Sequence, residues 1–334
     1  MLVRPVIEKD LNALVYLAEQ AGIGLTNLVA DKQELSKKIL RSIASFNQNI
    51  KNGYYFFVLE VDSQVVGCSG IDVCPGEKIP FYTYKISSTH QHDYHKNIDV
   101  THKFLHVVND FDHETELCSL YLLPAFRNKI NGYLLSYARL LYMACYPEKF
   151  TTMTFAEIRG CSDDNGISPF WEAIGRNFYQ MDFAIADNLT GKGDKKFIQL
   201  LKPELPIYIS LLPQSAQDVI GKPHAHSLPA VNLLKKQNFE HFNYVDIFDA
   251  GPTIFAKTQS IATVQQMQCV KIAEIKSITN GENYMLATTD NFFTATVVKL
   301  DTINADEISI SSEILKRLNL QLGQYVKIAP LIPK

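Results

Sequence analysis

One stretch of the sequence decides the fold, and it reads Leu120-Tyr121-Leu122-Leu123-Pro124-Ala125-Phe126-Arg127-Asn128-Lys129-Ile130-Asn131-Gly132. The apolar run over residues 116–123 predicts a buried strand that Pro124 ends. A basic loop follows, and Gly132 lies at the start of a predicted helix. N–H groups at a helix start attract a diphosphate, and glycine lets that anion approach the backbone. A plain strand-to-helix corner has the same spacing, so the residues alone leave both interpretations open.

Strands and helices are predicted on both sides of this stretch. Upstream, the patterns predict a strand over residues 2–7, a helix over 11–21, a helix after Asp31 and a hairpin of 54–60 with 65–71. Residues 75–115 have weak periodicity, and we expect one strand near 81–86 with loops around it. Downstream, we expect a strand over 153–158 and a helix over 168–179. This order predicts an α/β (α+β) core.

The chain changes character after Gly251 and Pro252. We expect residues 1–256 to form one enlarged domain, in which 180–256 are either an insertion or a second half-domain. Residues 262–334 are rich in Thr, Val, Ile and Lys, with strand candidates at 284–288, 292–300 and 325–328. They predict a small β-rich module that makes no catalytic contact.

Composition excludes several classes of protein. The 334 residues are 46% hydrophobic and carry a net charge of −3, so no basic surface is available for nucleic acid or an anionic membrane. No apolar run of 18 residues and no signal peptide are visible. The six cysteines lie far apart and predict buried thiols rather than metal ligands or disulfides. We therefore expect a cytoplasmic protein.

The stretch quoted above resembles the motif of the GNAT acyltransferases, L-x-V-x-P-x-x-R followed by (R/Q)-x-x-G-x-(G/A). The matching residues are Leu120, Leu122, Pro124, Arg127 and Gly132. The resemblance implies a GNAT core with a splayed, mixed and mostly antiparallel sheet. It also implies that the backbone at Leu120 and Leu122 binds the thioester and pantetheine of an acyl-CoA.

The same resemblance implies a diphosphate site at Arg127, Asn131 and Gly132. Ile130 departs from the motif, which has glycine at that position. We expect Asn128 or Asn131 to adopt the left-handed conformation that this glycine provides in the family.

Longer motifs lie over most of residues 1–256, and they read E-L-C-S-L (116–120), N-G-Y-L-L-S (131–136), A-E-I-R-G (156–160), S-P-F-W (168–171), M-D-F (181–183), A-Q-D-V-I-G (216–221) and D-I-F-D-A-G-P-T (246–253). In these the chain resembles the arginine N-succinyltransferases of bacterial arginine catabolism. The resemblance implies transfer of succinyl from succinyl-CoA to the α-amino group of L-arginine. Succinyl-CoA is then a co-substrate, and the resemblance implies that no metal is needed and no cofactor is permanently bound.

Two alternatives stay open, and so does the oligomeric state. The acceptor is ornithine or another basic amino acid in one alternative, and the chain is a non-catalytic subunit or ligand sensor in the other. Assembly is expected either as a homo-oligomer or by pairing with a related chain.

The resemblance also implies a catalytic histidine, His224, which follows the A-Q-D-V-I-G motif. The chemistry suits the assignment, because the attacking amine must lose a proton and the leaving thiolate must gain one. An imidazole titrates near neutrality and serves either step. An ordinary loop histidine is the alternative interpretation, and His226 is the nearest rival.

Charged side chains are needed for both substrates. A guanidinium calls for a carboxylate partner, and the candidates are Glu157, Asp218, Asp182 and Asp163. Glu157 and Asp218 are the two we assign to the substrate. The succinyl carboxylate calls for a cation, for which Arg159 and Lys85 are candidates.

Overall fold

The strands of the chain join into one continuous sheet. The computed structural model describes residues 1–22, 24–48, 50, 52–163, 166–289, 292–301 and 306–333. The strands in these ranges are β1 Leu2–Pro5, β2 Tyr54–Val61, β3 Gln64–Val73, β4 Thr83–Asp93, β5 Ile98–Val108, β6 Thr115–Leu122, β7 Met153–Glu157, β8 Ile207–Tyr208, β9 Glu240–Asp246, β10 Pro252–Lys257, β11 Gln268–Ile275, β12 Glu282–Thr288, β13 Thr294–Leu300, β14 Glu307–Ile310 and β15 Tyr325–Pro330. Their order across the sheet is β14-β11-β15-β12-β13-β1-β2-β3-β6-β7-β10-β9-β4-β5-β8.

The sheet is mixed but mostly antiparallel, as the sequence predicts. Among the described strands, only the pairs β6–β7 and β11–β14 are parallel. Helices cover the centre of the sheet, where residues 54–59 of β2 are buried along their whole length. The helices are α1 Leu11–Ala21, α2 Lys32–Asn47, α3 Lys129–Cys145, α4 Arg176–Tyr179, α5 Phe183–Gly191, α6 Lys196–Leu201, α7 Gln214–Gln217, α8 Leu228–Lys235, α9 Ala262–Gln266 and α10 Ser312–Leu318.

The N-terminal elements agree with the sequence prediction. Gly22 follows α1 with φ of 74°, a conformation that glycine adopts without strain. Asp31 caps α2, where its carboxylate accepts hydrogen bonds from the N–H groups of Gln33 and Glu34. The predicted hairpin is formed by β2 and β3.

The prediction for residues 75–115 is wrong in one respect. Where loops were expected around one short strand, β4 and β5 form a long hairpin that pairs from Thr83 opposite Val108 to Asp93 opposite Ile98. Residues 88–91 and 98–101 are exposed, so neither face shows the apolar alternation from which a strand is predicted. Backbone pairing rather than burial holds this part of the hairpin together.

The helix predicted over residues 168–179 is present but irregular. Trp171–Gly175 form a π-helical turn, and α4 continues from it to Tyr179. A side chain on Gly175 would overlap the Trp171 indole, so the glycine lets this wide turn close around the ring. Trp171 itself is fully buried between Tyr179 and Phe248.

The C-terminal strands have a core of their own, which includes Ile272, Leu286 and Ile328. They are also joined to the rest of the molecule, because β13 pairs with β1 and Phe293 belongs to the main core. The domain boundaries at residues 256 and 262, and the status of 180–256 as insertion or half-domain, stay predictions.

No helix within the described ranges is both long enough and apolar enough to cross a membrane.

Candidate active site

The site is a cleft where β6 and β7 separate. The two strands pair only at Thr115 opposite Thr154 and at Glu116 opposite Phe155, after which they diverge. A cavity of about 150 Å³ opens between them. The predicted splay after β6 is therefore confirmed. The residues that line the cavity all precede residue 250 within the described part of the chain.

A bulge in β6 accompanies the splay. Cys118 faces Gly70 of β3 and Tyr121 faces Cys68, so Ser119 and Leu120 together oppose one residue. Ser119 has φ of 52°, and its hydroxyl donates to the carbonyl of Asn27 in the α1–α2 connection. The bulge thus fixes the backbone at Leu120, which lines the cavity.

The loop after β6 is held by its own polar groups. Nε of Arg127 donates to the carbonyl of Leu122 at 2.9 Å. Asn128 caps α3 by accepting from the N–H of Asn131, and the Asn131 amide donates to the carbonyl of Phe126 at 2.9 Å. These contacts shape the loop that the sequence assigns to a diphosphate.

The expected left-handed asparagine is absent from this loop. Asn128 is extended, with φ of −134°, and Asn131 lies in the first turn of α3. The loop does not need a left-handed residue because Pro124–Phe126 form a single helical turn that reverses the chain. Ile130 is partly exposed in the same first turn, and a side chain on Gly132 would meet no atom within 4 Å. Gly132 therefore leaves open space beside the helix start.

Residues 117–147 contain Arg127, Lys129 and Arg139 and no Asp or Glu. We call residues 120–132 together with Arg139 the α3 side of the cleft. Of these, Leu120 and Arg139 line the cavity, and the predicted residues Leu122, Arg127, Asn131 and Gly132 lie outside its lining. Its positive charge and its helix start both favour anions.

Glu116 lies at the vertex of the cleft, at the last pair before the strands diverge. The side chain is buried, and Oε1 accepts from the Asn27 amide at 2.9 Å. Burial, and next the charge of Asp72, raise the pKa of Glu116 to about 7. The vertex therefore holds a carboxyl group that titrates near neutrality.

Carboxyl groups are concentrated across the cleft. We call Glu157, Arg159, Asp246 and Asp249 the β7 side of the cleft, and all four line the cavity. Oε1 of Glu157 is buried without a hydrogen-bond partner. Burial, and then the neighbouring Asp246, raise the pKa of Glu157 well above its usual range. Asp249 is buried with a raised pKa for the same two reasons, although the N–H groups of Gly160 and Gly251 donate to it.

Arg159 extends from the end of β7 towards the α1–α2 connection. Its Nη2 donates to the Ser162 hydroxyl at 3.0 Å, whereas its Nε is buried without a partner. A Cβ on Gly24 would lie 2.7 Å from that Nε, so a side chain at this position would push the Arg159 guanidinium aside. Gly24 has φ of +87°, which also favours glycine.

His224 lies next to the cleft, anchored to the chain that follows β7. Pro223 forms a β-bridge with Gly160, and the N–H of His224 donates to the carbonyl of Arg159 at 2.9 Å. His224 is not itself a lining residue. Two neighbours do line the cavity: Arg159, whose carbonyl the His224 N–H contacts, and Ser227, three residues further along the chain. His224 Nδ1 accepts from the N–H of His226 at 3.1 Å, so a neutral ring carries its proton on Nε2.

The structure separates the two carboxylates that the sequence assigns to the substrate. Glu157 lines the cavity, whereas Asp218 is exposed at the end of α7 and accepts from the Gln214 amide at 2.8 Å. Asp182 and Lys85 also lie outside the lining. Asp182 pairs with Arg176, and Lys85 pairs with Asp110. Asp163 caps a turn by accepting from the N–H of Ile167.

Sequence reasoning missed Asn27, Glu116, Arg139, Asp246 and Asp249 as cavity residues. Glu116 and Arg139 carried a detectable signal, since each is a charged residue within a predicted buried apolar element. Asn27 carried none, because it lies in a connection whose position depends on the Ser119 bulge.

Within the described residues, no group of three or more His, Cys, Asp or Glu side chains is arranged to hold a metal ion.

Comparison with known proteins agrees with this geometry. The family described as "Arginine N-succinyltransferase beta subunit" matches residues 1–263. Arginine N-succinyltransferase of Escherichia coli (strain 55989 / EAEC) is 37% identical, over 99% of this chain and 98% of that protein. The structure of arginine/ornithine succinyltransferase subunit AI from Pseudomonas aeruginosa superposes with a TM-score of 0.89 at 32% identity, over 99% of this chain and 98% of that one. These matches show that the chain belongs to the arginine N-succinyltransferase family.

Proposed function

We propose that this protein transfers the succinyl group of succinyl-CoA to the α-amino group of L-arginine. The observation that carries the proposal is the separation of charge across one cleft. The α3 side has basic residues and no carboxylate in its sequence, whereas the β7 side brings Glu157, Asp246 and Asp249 together. An acyl-CoA is an anion and arginine has a cationic side chain, so the two sides suit the two substrates.

On the α3 side, the start of α3 is assigned to the CoA diphosphate. The first N–H groups of a helix have no partner within the helix, and Gly132 leaves room for an anion to approach. The backbone at Leu120 and Leu122 is assigned to the pantetheine and thioester. Leu120 is suited to this role because the bulge removes it from regular pairing with β3.

On the β7 side, Glu157 is assigned to the guanidinium of arginine. Its unpartnered Oε1 is buried in the cavity, and a bound cation would supply the missing partner. Asp218 is left out of this assignment because of its position outside the cavity.

The reaction forms a C–N bond and breaks a C–S bond. The amine loses one proton and the CoA thiolate gains one, so no other reactant is needed. We assign the second proton transfer, to the CoA thiolate, to His224 in its imidazolium form, which becomes a neutral ring when it donates and then recovers a proton from solvent. Glu116, with a pKa of about 7, is suited to receive the proton of the amine.

We expect a cytoplasmic location, since all six cysteines are free thiols and a reducing compartment keeps them so. Assembly as a homo-oligomer or with a related chain remains part of the proposal.

The test is release of free thiol from succinyl-CoA, with arginine, ornithine or lysine as acceptor. We expect the highest kcat/KM with arginine and a product in which one succinyl group is attached to the α-nitrogen. Preference for ornithine would redirect the proposal to that acceptor, which the name of the Pseudomonas aeruginosa structure includes. Binding of CoA without thiol release from any acceptor would contradict the proposal.

A further inference from the structure

Arg139 is a buried cation in the middle of α3. It interrupts an apolar run, and only 1% of its surface is exposed. Its guanidinium lines the same cavity as Glu116 and Glu157. A buried guanidinium is costly unless a counter-charge compensates for its desolvation.

The partners of Arg139 are all neutral. Nε donates to the carbonyl of Ser136 at 3.1 Å, and Nη2 donates to the hydroxyl of Ser136 at 3.2 Å. Nη1 donates to the carbonyls of Gly70 and Cys118 at 3.3 and 3.2 Å. A guanidinium has five N–H donors, so these four bonds leave one donor on Nη2.

No carboxylate compensates for this charge. Within the described residues, no Asp or Glu oxygen lies within 4.0 Å of the Arg139 nitrogens, and residues 117–147 contain no acidic residue at all. Burial lowers the pKa of Arg139 to about 10, which still leaves the group charged at neutral pH. Arg139 therefore brings to the cavity a positive charge that has no carboxylate oxygen within 4.0 Å among the described residues.

The position of Arg139 fits the end of an acyl chain. Helix α3 starts beside the end of β6 and returns along it, which the bond from Arg139 to Cys118 shows. Arg139 is ten residues beyond Lys129, or about 15 Å along the helix axis. A CoA whose diphosphate lies at the start of α3 and whose thioester lies at Leu120 directs its acyl chain towards Cys118.

We propose that Arg139 binds the free carboxylate of the succinyl group and thereby selects a dicarboxylic acyl-CoA over one with a neutral chain. The inference rests on the proposed function, because it takes the α3 side as the acyl-CoA site. Arg139 thereby takes the role of binding the succinyl carboxylate, for which Arg159 and Lys85 were the candidates from the sequence.

Arg159 is the matched rival for this role. It lines the same cavity with a buried, unpartnered Nε, but it shares its side of the cleft with Glu157, Asp246 and Asp249. A succinyl carboxylate placed there would be repelled by these groups wherever they are ionised. Lys85 is outside the cavity and paired with Asp110.

A purely structural role for Arg139 is the other alternative. The side chain bridges carbonyls of β3 and β6 next to the bulge, so its loss would disturb any acyl-CoA equally. Comparing succinyl-CoA with butyryl-CoA separates the two roles, because butyryl has a methyl group where succinyl has its carboxylate.

The experiment compares kcat/KM for the two donors, with arginine as acceptor, in the wild type, Arg139→Gln, Arg139→Lys and Arg159→Gln. We expect the succinyl-to-butyryl ratio to fall about 10- to 100-fold in Arg139→Gln, the usual effect of losing one charge-assisted contact. A smaller fall is expected in Arg139→Lys, which keeps the charge without the planar fork. Arg159→Gln should leave the ratio unchanged.

Calorimetric binding of the two donors without arginine supplies a second readout. If Arg139→Gln does not fold, Arg139→Lys carries the test. The assignment would be overturned if the succinyl-to-butyryl ratio of kcat/KM were unchanged in the folded Arg139 variants. It would also be overturned if that ratio fell in Arg159→Gln. If the wild type binds succinyl-CoA through Arg139 but releases no thiol, the proposed function fails while the carboxylate site stands.

Discussion

The α3 side and the β7 side of the cleft handle charge in opposite ways. On the α3 side, the buried cation Arg139 donates to backbone carbonyls and a hydroxyl, and no acidic residue occurs between residues 117 and 147. On the β7 side, three carboxyl groups share one wall, and burial raises the pKa of Glu157 and Asp249. The α3 side thus has a cation without a neighbouring carboxylate, and the β7 side has more carboxyl groups than cations.

The difference is the basis of the proposed function, in which a substrate completes each side. In that proposal, an acyl-CoA with its phosphates and free carboxylate neutralises the positive charge of the α3 side. A basic amino acid neutralises the carboxyl groups of the β7 side. The two sides lie on strands that diverge, because β6 and β7 pair only at Thr115 and Glu116 of β6. The bulge at Ser119 interrupts the pairing of β6 with β3 beyond that point.

The largest effect is expected from His224→Ala, which removes the proposed proton donor next to the cleft. We expect kcat to fall by about 10² to 10⁴, the usual scale for losing a general acid or base, with little change in the KM for arginine. The measurement is steady-state thiol release over a range of arginine concentrations.

His226→Ala is the matched control for His224. The His226 ring is exposed, and it is the backbone N–H of His226, which alanine keeps, that donates to His224. We expect kcat to stay within a few-fold of the wild type. Near-normal turnover in His224→Ala, or a greater loss in His226→Ala, would remove His224 from the mechanism.

The next largest effect concerns stability at the vertex. Because the pKa of Glu116 is about 7 in the fold and near 4.5 when unfolded, the folded state binds more protons between these values. Stability therefore falls as pH rises from 4.5 to 7, and the full cost of the buried carboxylate is present above pH 7. Glu116→Gln removes this cost, which is up to about 3 kcal/mol for such a shift.

The measurement is the free energy of unfolding by urea at pH 5 and pH 8. We expect Glu116→Gln to have a higher free energy of unfolding than the wild type, and we expect this difference to be larger at pH 8 than at pH 5. The exposed Glu204→Gln should show no such difference. An equal advantage at both pH values would mean that Glu116 is ionised in the fold at pH 5.

A smaller effect is expected from Glu157→Gln, which tests the β7 side as the cation site. Loss of one charge-assisted contact should raise the KM for arginine about 10- to 100-fold and leave the KM for succinyl-CoA nearly unchanged. Asp218→Asn is the control, because Asp218 is exposed and bonded to Gln214. A larger increase in Asp218→Asn than in Glu157→Gln would reverse the assignment of these two carboxylates.

Most of the central fold could be predicted from the sequence because its signals are local. Apolar periodicity and the Asp31 cap predicted α1, α2, β2 and β3, and the residues that match the GNAT motif predicted the splay after β6. The β4–β5 hairpin could not be predicted in full, since its exposed half is held by backbone pairing that leaves no apolar pattern.

The site was less predictable than the fold, because its charges come from distant parts of the chain. Glu157 was found through a family-like segment, and the structure places it in the cavity. Asp218 was chosen on the same grounds but is exposed, since a motif in one segment does not tell which way that segment faces. Arg139 was hidden within an apolar helix pattern, and only the fold reveals that no carboxylate of the described ranges lies beside it.

The smallest effect is expected from Gly132→Ala, which tests whether the α3 side is shaped for an anion. Gly132 lies inside α3, where glycine costs about 0.5–1 kcal/mol relative to alanine, and the new methyl group would meet no protein atom within 4 Å. We therefore expect the variant to unfold at a slightly higher temperature. The same methyl group would occupy the space left for the diphosphate, so the Kd for CoA should rise about 3- to 10-fold, or about 1 kcal/mol. Succinyl-pantetheine, which lacks the diphosphate, should be used equally well by both proteins. A Kd for CoA that stays at the wild-type value in a stabilised Gly132→Ala would show that the diphosphate does not approach this turn of α3.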